Sequence, residues 1–134
     1  MKRVVITGIG PVTALGKDKD SFFASLLAGK SGINKIESFD VSRYSCQIAS
    51  TIKDFDPVNY MDQKAAKRMD KFSQYAIAAA KTAIEDASLE INEDNQYQVG
   101  VIVGSGIGGL LTLENQHKVL LSKGPSRISP FLIP

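Results

Sequence analysis

Gly104-Ser105-Gly106-Ile107-Gly108-Gly109 reads as G-x-G-x-x-G and directly follows an apolar run at residues 99–103. Between a strand and a helix, backbone N–H groups in such a turn can hold a pyrophosphate, and the glycines allow its close approach. The same chemistry asks for an acidic ribose-binding residue about 20 residues later, at the end of a second strand. That region reads Lys123-Gly124-Pro125-Ser126-Arg127-Ile128-Ser129, with no acid and no strand pattern. The earlier Gly8-Ile9-Gly10-Pro11-Val12-Thr13 carries threonine where the third glycine belongs. These glycines read first as tight turns and close backbone packing, including turns that shape a non-nucleotide pocket. A dinucleotide site on residues 104–109 stays open as an alternative.

Lys64, Lys67, Arg68 and Lys71 recur at i, i+3, i+4 and i+7, so on one continuous helix they share a face. They sit in its first turns, where the helix dipole makes cations mildly unfavourable, by about 0.3–1 kcal/mol each. Either this is a solvated face, partly relieved by Asp62 and Asp70, or it docks an acidic macromolecule, with charge giving steering and orientation. The residues alone leave both readings open. Cys46 lies in an alternating stretch with no histidine near it in sequence, so it reads as a small buried hydrophobe rather than a nucleophile. His117, between Gln116 and Lys118, reads as a surface or partner-facing residue rather than a general base.

The elements that must position these residues follow from apolar spacing. Val4, Val5, Ile6 and Thr7, closed by Gly8, read as a strand buried on both faces, and residues 97–103 repeat the pattern. Each leads into glycines and then a helix, which predicts an α/β fold with parallel strands. A first helix is expected from Asp18 or Asp20 to just before Gly29. A second is expected from about Lys64 to Ala87, capped by Asp62 or a neighbour, with Met69, Phe72, Ala76, Ala79, Ala80 and Ala83 on one face. The small residues on that face mark a buried central helix against which another backbone can lie. A third helix is expected over residues 109–122, ended by Gly124-Pro125. Residues 46–52 alternate as a short half-buried strand, broken by Asp54-Phe55-Asp56-Pro57.

Across 134 residues, 43% are hydrophobic and 22% charged, with a net charge of +2. That suits one domain with a core and lacks the basic excess of a nucleic-acid binder. One cysteine and one histidine rule out an internal disulfide framework and any multi-cysteine or multi-histidine metal site. No apolar stretch approaches the roughly 20 residues of a membrane span, and the opening lacks a signal-peptide pattern, so a cytoplasmic location is expected. The last residues, Ser129-Pro130-Phe131-Leu132-Ile133-Pro134, are apolar, and only two strong parallel strands precede them, against the usual four to six of a sheet. The expectation is an incomplete fold, the amino-terminal part of a larger α/β enzyme.

Several of these segments, taken together and in order, resemble the β-ketoacyl-[acyl carrier protein] synthases, especially type II. They are the opening from Val4 to Gly16, Lys67-Arg68-Met69-Asp70-Lys71-Phe72 with Tyr75-Ala76, the run from Val99 to Gly109, and Ile128-Ser129-Pro130-Phe131 with Pro134. The resemblance implies part of a thiolase-like fold, residues 1–134 being an incomplete first half of two related α/β halves, with a mainly parallel sheet around a buried central helix. It implies an acyltransferase that extends acyl chains by two carbons through decarboxylative condensation with malonyl-[acyl carrier protein]. It implies dimerisation, acyl carrier protein as partner, and neither cofactor nor metal.

The family's nucleophilic cysteine sits in a Thr-Ala-Cys context beyond the segment matching Pro134, and its two histidines lie further on. Cys46 and His117 match none of these, so no catalytic residue is carried over and the chain alone is expected to be inactive. The resemblance assigns carrier-protein docking to Lys64, Lys67 and Arg68. It places Ile107, Leu132 and Ile133 at the acyl pocket and dimer interface. A non-catalytic synthase-like partner subunit is the remaining alternative.

Overall fold

The computed structural model describes residues 2–133. They form two compact units, the first comprising the chain up to Asp56 with Ala79–Glu90, the second comprising Pro57–Ala78 and the chain from Ile91 onward. In the first unit, helix α1 spans Lys19–Leu27. Asp18 caps it as the sequence predicts: its carboxylate accepts the Ser21 N–H at 2.8 Å and the Ser21 hydroxyl at 2.6 Å. The helix closes on Gly29, whose φ of +63° suits glycine. Strands β1 (Ile33–Lys35) and β2 (Ile48–Ser50) pair antiparallel, with Asn34 opposite Ala49. The alternation around residue 48 anticipated β2. It missed β1, because three residues give too little pattern to read.

Helix α3 (Lys71–Asp86) contributes its second half to the same unit. The segment Gly8-Ile9-Gly10 packs directly on it. A Cβ built at Gly8 would stand 2.8 Å from the Ala87 Cβ, and one at Gly10 would stand 2.7 Å from the Ala83 nitrogen. The alanine face therefore does what its small side chains suggested, admitting a glycine backbone. The Ile9 N–H also donates to the Asp86 carboxylate at 3.0 Å, and Lys19 pairs with the same group. The Lys19 hydrogen bond first, and the Ile9 N–H second, hold the Asp86 carboxyl below its ordinary value. These donors offset an acid at the negative end of a helix. Thr13 closes the following turn: its hydroxyl donates to the Gly16 carbonyl at 2.9 Å and accepts the Gly16 N–H at 3.1 Å. That hydrogen bonding is why threonine stands where a nucleotide motif would need glycine.

The second unit holds α2 (Gln63–Ala66), the first half of α3 and α4 (Leu110–Lys123). The last of these matches the expected third helix.

Three expectations are corrected here. Residues 4–7 and 97–103 form no strands: a single turn covers Gln96–Gln98, and Val4, Ile6 and Ile102 are 92%, 85% and 99% exposed. Neither run has a neighbour to complete a ladder among the described residues, and the only sheet is the antiparallel pair β1–β2. Extended, β-branched residues are fitted to a sheet without forming one alone. Second, Cys46 is exposed, with its Sγ 3.4 Å from the Ile48 carbonyl, because it stands in the loop before β2 and not in a half-buried strand. Third, the expected helix over residues 64–87 is two helices, α2 and α3. Gly10→Ala is predicted to lower stability by about 1–3 kcal/mol through overpacking against Ala79 and Ala83. A urea unfolding free energy that changes by less than about 0.5 kcal/mol would contradict this close approach.

Candidate functional site

The break between α2 and α3 builds the site. Lys67 and Arg68 continue α2 as a tight turn, with the Arg68 N–H donating to the Ala65 carbonyl at 2.9 Å. At Asp70 the chain leaves the helix, since a short carboxylate can satisfy nearby N–H groups itself. Its Oδ1 accepts the Phe72 N–H at 3.4 Å, and its carbonyl accepts the Gln74 N–H at 3.1 Å, starting α3. The carbonyls freed at the end of the first turn are met by Gln74, whose Nε2 donates to Ala66 O at 2.8 Å and Met69 O at 3.2 Å.

The other carboxylate oxygen of Asp70 reaches a second helix. Oδ2 accepts the Thr112 N–H at 2.8 Å and the Thr112 hydroxyl at 2.6 Å. Helix α4 begins after Gly109, which has no side chain to cap it, so Asp70 caps it from 42 residues away in sequence. Burial pushes the Asp70 carboxyl up, but the donors from Thr112, then Phe72 and Lys71, outweigh burial and hold it below its ordinary value. The anion at this helix start is thus a carboxylate of the protein itself. A pyrophosphate would have to displace it, which removes the main attraction of a dinucleotide reading of residues 104–109. Gly108, at φ +76°, serves the turn, and Gly109 lies against Asp70 and Phe72.

Beside this joint the second unit opens a cleft of about 410 Å³. Its walls are mainly apolar, with Met69, Phe72, Ala76, Ile77 and Val103 facing Phe131, Leu132 and Ile133; Arg68, Asp70, Ser73 and Thr112 add polar edges. The volume falls within the range of small-molecule sites, and the lining suits an aliphatic chain rather than a charged group. The far wall is pinned to α4, because the Ser129 N–H donates to Gln116 Oε1 at 2.7 Å.

Lys64, Lys67 and Arg68 lie together, exposed, on the turn leading into the cleft. The two acids expected to relieve them are engaged elsewhere. Asp62 caps α2 by accepting the Ala65 N–H at 2.9 Å, and Asp70 faces Thr112. None of the three cations forms an ion pair among the described residues. Instead the Arg68 guanidinium carbon lies 4.5 Å from the centre of the Phe131 ring. Lys71 begins α3, so the four-residue stripe is not a single helix face.

The structure therefore brings Lys64, Lys67 and Arg68 together, and puts Leu132 and Ile133 in the cleft wall. Ile107 does not line the cleft; it is exposed on the glycine turn. His117 is exposed on α4, as expected. Sequence reasoning missed the roles of Asp70, Thr112, Gln74 and Phe131. The available signal was an Asp four residues before Gln74, which pairs a helix start with a cap for the preceding turn.

Asp70 links stability to pH with a definite sign. Its native pKa is depressed, so its contribution is present above the ordinary value of 3.8 and lost as pH falls through the native value below that. Asp70→Asn should lower stability at neutral pH by about 1–2 kcal/mol and speed exchange of the Thr112 amide. The gap to the parent should narrow below pH 3.8. A constant gap, or an unchanged Thr112 amide, would contradict the shared cap.

The Beta-ketoacyl synthase, N-terminal domain model matches residues 1–134. The chain is 48% identical over 133 residues to 3-oxoacyl-[acyl-carrier-protein] synthase 2 of Synechocystis sp., covering 99% of this chain and 32% of that protein. It is 47% identical to the synthase 2 of Vibrio cholerae, again over 99% of this chain and 32% of the relative. The chain thus spans about a third of the length of the curated relatives it matches. Among solved structures, a type II PKS acyl-carrier protein in complex with its ketosynthase bound to the hexaketide superposes with a TM-score of 0.78 at 26% identity, covering 98% of this chain and 34% of that one. The ishigamide ketosynthase/chain length factor superposes at 0.76 with 30% identity, covering 96% of this chain and 32% of that one. These ketosynthases share the thiolase-like fold, of which the present residues form part. The chain belongs to the β-ketoacyl synthase family, as a match to its N-terminal domain.

Proposed function

We propose that this chain provides the carrier-docking face and part of the acyl-binding wall of a β-ketoacyl-[acyl carrier protein] synthase in fatty acid biosynthesis. The observation that carries the reading is the juxtaposition of Lys64, Lys67 and Arg68, three cations with no ion pair among the described residues, with an apolar cleft in one unit. An acidic carrier that delivers an aliphatic chain needs both features side by side. The cations steer and orient the carrier, and Phe72, Ile77, Leu132 and Ile133 receive the chain.

The reaction is a decarboxylative Claisen condensation with malonyl-[acyl carrier protein]. It proceeds through an acyl thioester on a cysteine, so the nucleophile and the groups supporting decarboxylation must lie at the end of the acyl channel. Cys46 is exposed in the β1–β2 region, and His117 is exposed on the outer side of α4; neither is in the cleft lining. In this reading the catalytic cysteine and histidines belong to the part of the synthase represented in the relatives' remaining length. Ile107, exposed on its turn, is assigned with Leu132 and Ile133 to the acyl channel and a homodimer interface, an assignment supported by its 78% exposure as a large apolar side chain. A cytoplasmic location accompanies this reading, in keeping with a single exposed thiol and with helices none of which, among the described residues, could cross a membrane.

A non-catalytic partner subunit is the second reading, favoured by the likeness to a ketosynthase/chain length factor pair. The higher identity to synthases, 48% against 30%, supports the first. Reversing Lys64, Lys67 and Arg68 to Glu should weaken binding of acyl carrier protein by about tenfold or more at low salt and flatten its salt dependence. Titration by calorimetry on the intact protein checks this, and unchanged affinity at low salt would return the three residues to a solvated face.

A further inference from the structure

We propose that Phe131 is a positioning residue for the docking face: its ring holds the Arg68 guanidinium in the orientation in which it meets a carrier carboxylate. This rests on the reading of Lys64, Lys67 and Arg68 as a carrier-docking face and adds to it a division of labour among the three cations. A flat guanidinium over an aromatic face leaves its N–H rim free, so stacking and bidentate carboxylate binding are compatible. The guanidinium carbon lies 4.5 Å from the centre of the Phe131 ring, at stacking distance.

Both partners are fixed from their own side. Arg68 ends a tight turn through its N–H to the Ala65 carbonyl at 2.9 Å. The Phe131 N–H donates to Ser129 Oγ at 3.1 Å, and Ser129 is itself tied to Gln116 on α4. Lys64 and Lys67 have no ion pair and no aromatic contact among the described residues, and an ammonium on a flexible stem acts as a point charge. The two lysines therefore attract the partner over distance, whereas Arg68 fixes its register. Ordering a long side chain at an interface weakens binding, and the ring removes that loss for Arg68 before the partner arrives.

The test measures the affinity of acyl carrier protein without an acyl chain, so that filling of the cleft plays no part. Phe131→Leu keeps apolar volume and every charge, and should weaken binding by about three- to tenfold with an unchanged salt slope. Arg68→Lys keeps the charge but loses the flat stack, and should give a similar loss from an exposed position that does not endanger folding. The double variant should be no weaker than the worse single one. Losses that multiply in the double variant, or an unchanged affinity in Phe131→Leu or Arg68→Lys, would overturn the proposal. Lys64→Glu with Lys67→Glu separates the two levels of the argument. If that pair weakens binding while Phe131→Leu does not, only the positioning role fails. If the pair changes nothing, the docking reading itself fails.

Discussion

One carboxylate serves two helix starts in this protein, and the candidate site is arranged around it. Asp70 takes the chain out of α2, begins α3, and accepts both the N–H and the hydroxyl of Thr112 at the start of α4. Helix N-termini attract negative charge, and capping by a side chain is usually local. Here the cap comes from a distant part of the chain and becomes a tertiary tie. It also places the basic turn before it, and the apolar side chains after it, on either side of one point. With the carboxyl held ionised by its donors, that tie is fully present above the ordinary value of 3.8.

A second constraint is close backbone contact in the other unit. Gly8 and Gly10 lie against Ala79, Ala83 and Ala87 with no room for a Cβ on either glycine. The run that precedes these contacts is strongly apolar but exposed, including Val4, Val5 and Ile6. Exposed apolar surface of this extent marks association. Extended β-branched runs of this kind are suited to pairing with a neighbouring strand, whose ladder bonds they do not make among the described residues.

Helices were legible in the sequence to the extent that their signals were local. Asp18 and Gly29 bracket α1, and Gly124-Pro125 ends α4, because caps and stops act within a few residues. The alanine stripe announced a close-packed face, and Gly8, Gly10, Gly108 and Gly109 serve packing or a turn, whereas a Cβ at Gly104 or Gly106 would meet nothing. Strand pairing was not legible, since β-branched runs at residues 4–7 and 99–103 show fitness for a sheet and not the presence of partners. The break at Asp70 was masked by an apolar period that runs on through residues 64–87. Its cause is side-chain hydrogen bonding by Asp70 and Gln74, and the tie from Asp70 to Thr112 spans 42 residues; periodicity registers neither. For the same reason the basic residues were found, whereas Phe131, which contacts one of them, was not.

In the proposed function, the charged face and the aliphatic cleft act together to receive a carrier and its cargo. The most direct test is amide chemical-shift mapping of the intact protein with acyl carrier protein, first without an acyl chain and then with one attached. Lys64, Lys67 and Arg68 should respond to both forms, while Ile77, Leu132 and Ile133 should respond only to the loaded one. Shifts confined to other surfaces, or a cleft that responds identically to both forms, would contradict this reading.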